Sequence, residues 1–264
     1  MSKYISLDKC LFIVIIILSI FMPLREFLSL YLGQFIKFIP DILVLLLLLY
    51  YVIKNKFRVK LNLIDILFLG FILIGLISTL YNHSSIIGFI AQARSISVMY
   101  ALFFLLRKIP LNEKKYIMIF KIIFYTSIAF LIIAVGESIT DKHLFFPLEW
   151  AQSIRFETNF ARVYGILNNP NTFAIYLLLI MIMAWFLTEK GKMKVNWLYY
   201  YLCLTVIFLT SSRSTIILLI ISIIFFVVWI FKHKKYFKLA TLCFVLAASF
   251  STIFLVNMGR EVIL

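Results

Sequence analysis

Nine stretches of unbroken apolar sequence leave this chain little choice of fold. They cover residues 11–24, 38–53, 61–80, 86–106, 116–135, 172–187, 195–209, 214–231 and 239–256. A helix that crosses a membrane needs about 20 mainly apolar residues to span a hydrocarbon core of about 30 Å. Most of the nine approach that length. Their apolar character is continuous rather than alternating, which points to helices and away from barrel strands. With 64% hydrophobic and 14% charged residues, the chain has too little polar sequence to cover so many apolar helices in water. The expected fold is all-α: a polytopic transmembrane bundle of about nine spans, forming a single transmembrane domain over residues 1–264.

Lys3 and Lys9 before the first apolar run imitate a secretory leader. No small-x-small cleavage site follows, and Pro23-Leu24-Arg25 comes instead, so the run reads as a retained first span. Cys10, Cys203 and Cys243 lie in or beside spans at spacings that suit neither a disulfide nor a metal. They read as packing residues, and no metal or cofactor is expected.

Charge orients the bundle. The lysine-rich loops at 54–60, 107–115, 189–194 and 232–238 alternate with loops poor in lysine. Together with the N-terminal tail and Lys121, their side holds 18 of the 26 basic residues: sixteen lysines plus Arg58 and Arg107. The positive-inside rule makes that side, and the N-terminus, cytoplasmic. Topology and anionic headgroups thus account for the formal charge of +15, and no nucleic-acid partner is implied. The opposite side is poor in lysine (Lys37 and Lys142) yet holds Arg25, Arg94, Arg155, Arg162, Arg213 and Arg260. Arginines gathered against the composition of the chain suit a phosphorylated or acidic substrate. Arg94 lies about 12 Å into its span, at 1.5 Å per residue, a depth at which a charge usually faces a cavity or a partner.

The longest loop, 136–171, faces outward and mixes acids with Arg155, Arg162 and several aromatics. A loop of that length is commonly functional, and its aromatics also suit an interfacial anchor. At its end, Arg162-Val-Tyr-Gly165 precedes Asn168-Asn169-Pro170-Asn171. Gly165 permits a positive φ, and Asn171-Thr172 offers a helix cap. A helix start near an arginine can receive an anion, or simply be a capped helix. The turn Thr210-Ser211-Ser212-Arg213 presents a second arginine, which a snorkelling side chain at a helix end would equally explain.

The pattern Arg162-x-x-Gly165-x-x-x-Asn169-Pro170-Asn171, followed by Phe173-Ala174-x-Tyr176-Leu177, resembles the motif of the O-antigen polymerase/ligase family. Ser211-Ser212-Arg213, one helical hairpin later, resembles that family's Ser-Arg turn. The resemblance covers roughly residues 61–260 and implies a fold of the C-type glycosyltransferase kind. It implies a substrate glycan carried on undecaprenyl pyrophosphate at the outer face of the bacterial cytoplasmic membrane, with membrane lipids and other polysaccharide-assembly proteins as partners. It also implies that Arg162 and Arg213 grip the pyrophosphate. Arg94 joins them by its depth, with Gly165, Asn169, Pro170, Asn171 and Ser212 as supporting motif residues. Arg155 and Arg260 are weaker candidates.

One departure stands out. The family carries a histidine-bearing outward loop after the ninth span, whereas this sequence stops at Leu264; the expectation is a chain lacking that C-terminal part. His233 falls on the cytoplasmic side, His83 in a short outer turn, and His143, in the longer outer loop, matches no family motif, so no catalytic base carries over. The favoured function is polymerisation of capsular or O-antigen repeat units. Ligation to lipid A-core, flipping of a lipid-linked oligosaccharide and a non-catalytic membrane fragment remain open.

Overall fold

Each of the nine apolar stretches forms a helix, because a backbone inside hydrocarbon must satisfy its own hydrogen bonds. A computed structural model describes residues 7–56, 58, 60–140, 162–167 and 169–263, with side chains as far as residue 253. The helices are α1 (Leu7–Leu32), α2 (Ile39–Lys54), α3 (Leu63–Tyr81), α4 (Ile86–Lys108) and α5 (Glu113–Ile139). They continue with α6 (Pro170–Glu189), α7 (Trp197–Leu209), α8 (Arg213–Lys232) and α9 (Tyr236–Ile263). No strand occurs among the described residues.

Among the described residues, eight helical segments are long and apolar enough to cross a membrane; α2 qualifies once joined to the 3-10 turn Gln34–Phe38 before it. The exception is α7. Its 13 residues reach about 20 Å at 1.5 Å per residue, well short of a core of about 30 Å. Yet α7 buries Tyr199, Cys203, Leu204, Val206 and Ile207, so it is an interior helix held by its neighbours. Cys203, fully buried and unpaired, is a packing residue there; Cys243 is exposed and Cys10 half-buried.

The helices gather into two compact units: Met1–Met22 with Gln34–Tyr116, and Pro23–Gly33 with Ile117–Leu264. Helix α1 passes from one to the other at Pro23, where the missing N–H and the ring interrupt the helical ladder. In the first unit, α4 packs on α2 and α3. Its polar centre is Asp65, 2% exposed, whose carboxylate accepts from the Tyr100 hydroxyl and the Arg107 guanidinium. Tyr100 stacks on Phe68 with ring centroids 3.7 Å apart.

In the second unit, α7 packs against α6, α8 and α9. Phe130 and Leu131 of α5, Phe173 and Leu177 of α6, Ile207 of α7 and Leu219 of α8 share one buried core. The Ser127 and Tyr199 hydroxyls, 2.9 Å apart, join α5 to α7 inside it. Because α6, α7, α8 and α9 alternate in direction, one end of this unit collects residues 162–167, 169–171 and 209–213. The other end collects the lysines of 190–194 and 232–238.

Candidate functional site

The arginine end of the second unit is built on a carboxylate. Glu137 sits near the end of α5 and is 2% exposed. Its Oε1 accepts from the Tyr164 N–H at 3.0 Å, and its Oε2 accepts from the Gly165 N–H at 2.8 Å. A buried carboxylate needs such donors, since an unpaired charge in an apolar interior is costly. The backbone after Arg162 is thereby tied into the bundle. Gly165 takes φ +57, and a Cβ there would lie 2.6 Å from the fully buried ring of Phe173. Only glycine meets both demands.

This anchoring sets Arg162 across the end of α7. Its Nε donates to the Thr210 carbonyl at 2.6 Å, and its Nη2 reaches the Ser211 carbonyl at 3.4 Å and Asn171 Oδ1 at 3.1 Å. The Val163 N–H adds a bond to the Leu209 carbonyl at 3.2 Å. The last carbonyls of a helix have no partners within it and carry the negative end of its dipole, so a guanidinium suits them. The two sequence motifs are therefore locked together, 48 residues apart along the chain.

The two helices that start here are positioned by the same segments. Asn169 Oδ1 caps α6, accepting from Asn171 N–H at 2.9 Å and Thr172 N–H at 3.2 Å, with Pro170 as the first helical residue. Ser211 adopts φ +51 and turns the chain into α8. Ser212 is fully buried, its hydroxyl 2.9 Å from that of Thr215. Arg213 opens α8. It is exposed and, among the described residues, takes part in no hydrogen bond or ion pair. Tyr164 is buried, and burial, aided by the Glu137 charge and opposed by Arg162, holds its phenol above the usual tyrosine value. It stays neutral through the physiological range. Chemically, this end offers an uncommitted guanidinium at the N-terminus of α8, beside a second one fixed in place and the N-terminus of α6. That arrangement favours an anion.

Arg162, Gly165, Asn169, Pro170, Asn171, Ser212 and Arg213 are thus assembled in one place. Arg94 belongs to the first unit, where its Nε lies 3.2 Å from Asp41 Oδ2 and its guanidinium carbon 4.6 Å from the centre of the Phe38 ring. Arg25 pairs with its neighbour Glu26 at 3.0 Å. Arg155 and His143 lie outside the described residues, and so does the side chain of Arg260, which is carried on α9. The loop expected at 136–171 is trimmed at both ends, since α5 continues to Ile139 and α6 begins at Pro170. Glu137 was legible only as one acid among several; its position at the tail of an apolar span was the signal. The two carbonyls that hold Arg162 left no mark in the side-chain sequence.

The eight long apolar helices define a multi-pass helical membrane protein. No family model, no curated protein and no solved structure matches the chain.

Proposed function

We propose that this chain is a bacterial cytoplasmic-membrane protein, N-terminus inside, that transfers undecaprenyl-pyrophosphate-linked glycan repeat units at the outer face to build capsular or O-antigen polysaccharide. One observation carries the reading: the Arg162 guanidinium binds the Thr210 and Ser211 carbonyls and Asn171, so that both motifs of the family it resembles form one structural element. Arg213, exposed at the start of α8 in that element, is the group available to a ligand.

In the reaction, an acceptor sugar hydroxyl attacks the anomeric carbon of the lipid-linked donor. The new glycosidic C–O bond forms as the bond to the pyrophosphate oxygen breaks, and the pyrophosphate leaves with the electron pair. The hydroxyl proton passes to a base. Negative charge grows on the leaving group, and a guanidinium fixed beside it stabilises that charge while keeping its own protons. Arg213 takes this role, with Arg162 holding the turn that presents it.

The test is binding of undecaprenyl pyrophosphate to the purified chain in nanodiscs, with undecaprenol as control. Arg213→Ala should lower affinity for the diphosphate by about tenfold or more, equivalent to roughly 1.5–3 kcal/mol for a lost charged hydrogen bond. It should leave thermal stability and undecaprenol binding unchanged. Arg162→Ala should lower both affinity and stability. Equal affinity of the wild type for the diphosphate and the alcohol would refute the proposal.

A further inference from the structure

At the lysine end of the second unit, a cavity of about 290 Å³ opens among α6, α7, α8 and α9. Its wall changes character with depth. Near the lysine end it is aromatic: Trp185, four residues before the end of α6, with Trp197, Tyr200 and Phe226. Deeper, Leu204 and Leu219 line it. Leu219 lies thirteen residues from Lys232 at the end of α8, about 20 Å at 1.5 Å per residue. Trp and Tyr favour the depth at which headgroups meet hydrocarbon. The cavity therefore runs from an interfacial collar into the apolar interior.

Cations are joined to that collar. Trp185 meets Trp229 edge-on, with ring centroids 4.9 Å apart, and Lys235 Nζ lies 4.7 Å from the centre of the Trp229 ring. Glu189 takes both Lys235 and Lys238. The segments 189–194 and 232–238 contain seven lysines and this one carboxylate. Lys232 and Lys234 are exposed and, among the described residues, take part in no ion pair. The ring of Trp185 belongs to the cavity wall, and among the described residues its buried indole N–H meets no hydrogen-bond acceptor. A buried indole N–H ordinarily finds one.

We propose that this cavity seats one acyl chain of an anionic phospholipid of the lysine-side leaflet. The ester carbonyls lie at the depth of Trp185, and the phosphate is held by Lys232 and Lys234. The order of chemistry from surface to depth (cation, aromatic collar, aliphatic slot) follows that of the lipid itself. Basic surfaces at a helix-bundle end attract anionic lipid, by roughly fivefold in affinity per lysine near the surface. The apolar slot makes this a site rather than a field. The inference stands apart from the proposed transferase activity.

Three of the four tryptophans surround the site, so they can report on it. The Trp150→Phe chain, reconstituted in phosphatidylcholine vesicles, is titrated with phosphatidylglycerol brominated on its acyl chains, or with brominated phosphatidylcholine. Quenching should favour phosphatidylglycerol. The preference should fall by roughly fivefold or more in Lys232→Gln/Lys234→Gln. Ser222→Phe, or Leu242→Phe should the first not fold, fills the slot and should remove the quenching itself. Lys54→Gln/Lys56→Gln, in the lysine loop after α2, should change neither. Equal quenching by the two lipids would overturn the proposal. So would undiminished quenching in the filled variant, or an equal fall in the Lys54/Lys56 control.

Discussion

Replacing Glu137 should release the Arg162–Gly165 segment from the bundle, and the size of the effect follows from its bonds. Its carboxylate accepts the backbone N–H groups of Tyr164 and Gly165, both in buried residues. Glu137→Ala leaves two buried donors without this acceptor, at about 1–3 kcal/mol each, so about 2–6 kcal/mol in all. Glu137→Gln keeps one carbonyl oxygen and loses the charge, and should cost about 1–2 kcal/mol. The loss should be local first, because Val163 and Arg162 still tie the segment to α7, and Arg162 also ties it to Asn171 of α6. Hydrogen exchange of the peptide holding residues 163–166, in detergent micelles, reads it directly. At 1.4 kcal/mol per factor of ten, opening should increase by roughly 30-fold or more in Glu137→Ala, with a smaller rise in Glu137→Gln. Protection of Tyr164 and Gly165 equal to wild type in Glu137→Ala would refute the reasoning.

Gly165→Ala combines a left-handed φ, costing about 1–2 kcal/mol, with overpacking against Phe173, costing about 1–3 kcal/mol; thermal unfolding in detergent should show a loss of that combined order, and Phe173→Leu should restore part of it. Arg94→Ala and Asp41→Asn should each destabilise the first unit, and the double variant by less than the sum of the two, with a coupling of about 0.5–3 kcal/mol. Additive losses would show that the 3.2 Å pair is incidental. In a chain freed of Cys10, Cys203 and Cys243, Ser153→Cys should react with an impermeant maleimide in intact cells, and Lys192→Cys only after permeabilisation; the reverse would invert the proposed orientation.

The helices were legible because hydrocarbon imposes one rule on every residue within it: each apolar run must close its own hydrogen bonds. The start of α6 was legible only to within two residues: Asn171-Thr172 reads as the cap, but Asn169 supplies the capping oxygen and Pro170, which needs no N–H partner, opens the helix. The brevity of α7 was less so. The run 195–209 reads as a span, but Asn196 caps the helix at Trp197 and the chain turns at Thr210, leaving 13 helical residues. Burial inside the second unit compensates for its length, and burial is a property of neighbours. Arg94 shows the same limit. Its depth suggested a cavity or a partner, and its guanidinium meets Asp41 on α2, a residue whose own position in the sequence is unremarkable.

The uneven use of lysine and arginine acquires a physical basis at the two ends of the second unit. At one end, Glu189 meets Lys235 and Lys238, each ammonium a point charge on a flexible stem. Lysine suffices there, because each carboxylate oxygen of Glu189 meets a single ammonium. At the other end, Arg162 meets the Thr210 carbonyl, the Ser211 carbonyl and the Asn171 amide from one half-buried position. Those acceptors are fixed by helix ends and differ in direction, so a planar fork with several donors can bridge them where one ammonium cannot. That requirement is structural and already accounts for an arginine at 162 without any ligand. It does not account for Arg213, which holds nothing among the described residues and still opens α8 beside the locked turn. The ligand argument therefore rests on Arg213. Arg162 enters it as the residue that keeps the turn from drifting, which is why loss of stability should accompany loss of affinity at one arginine and not at the other.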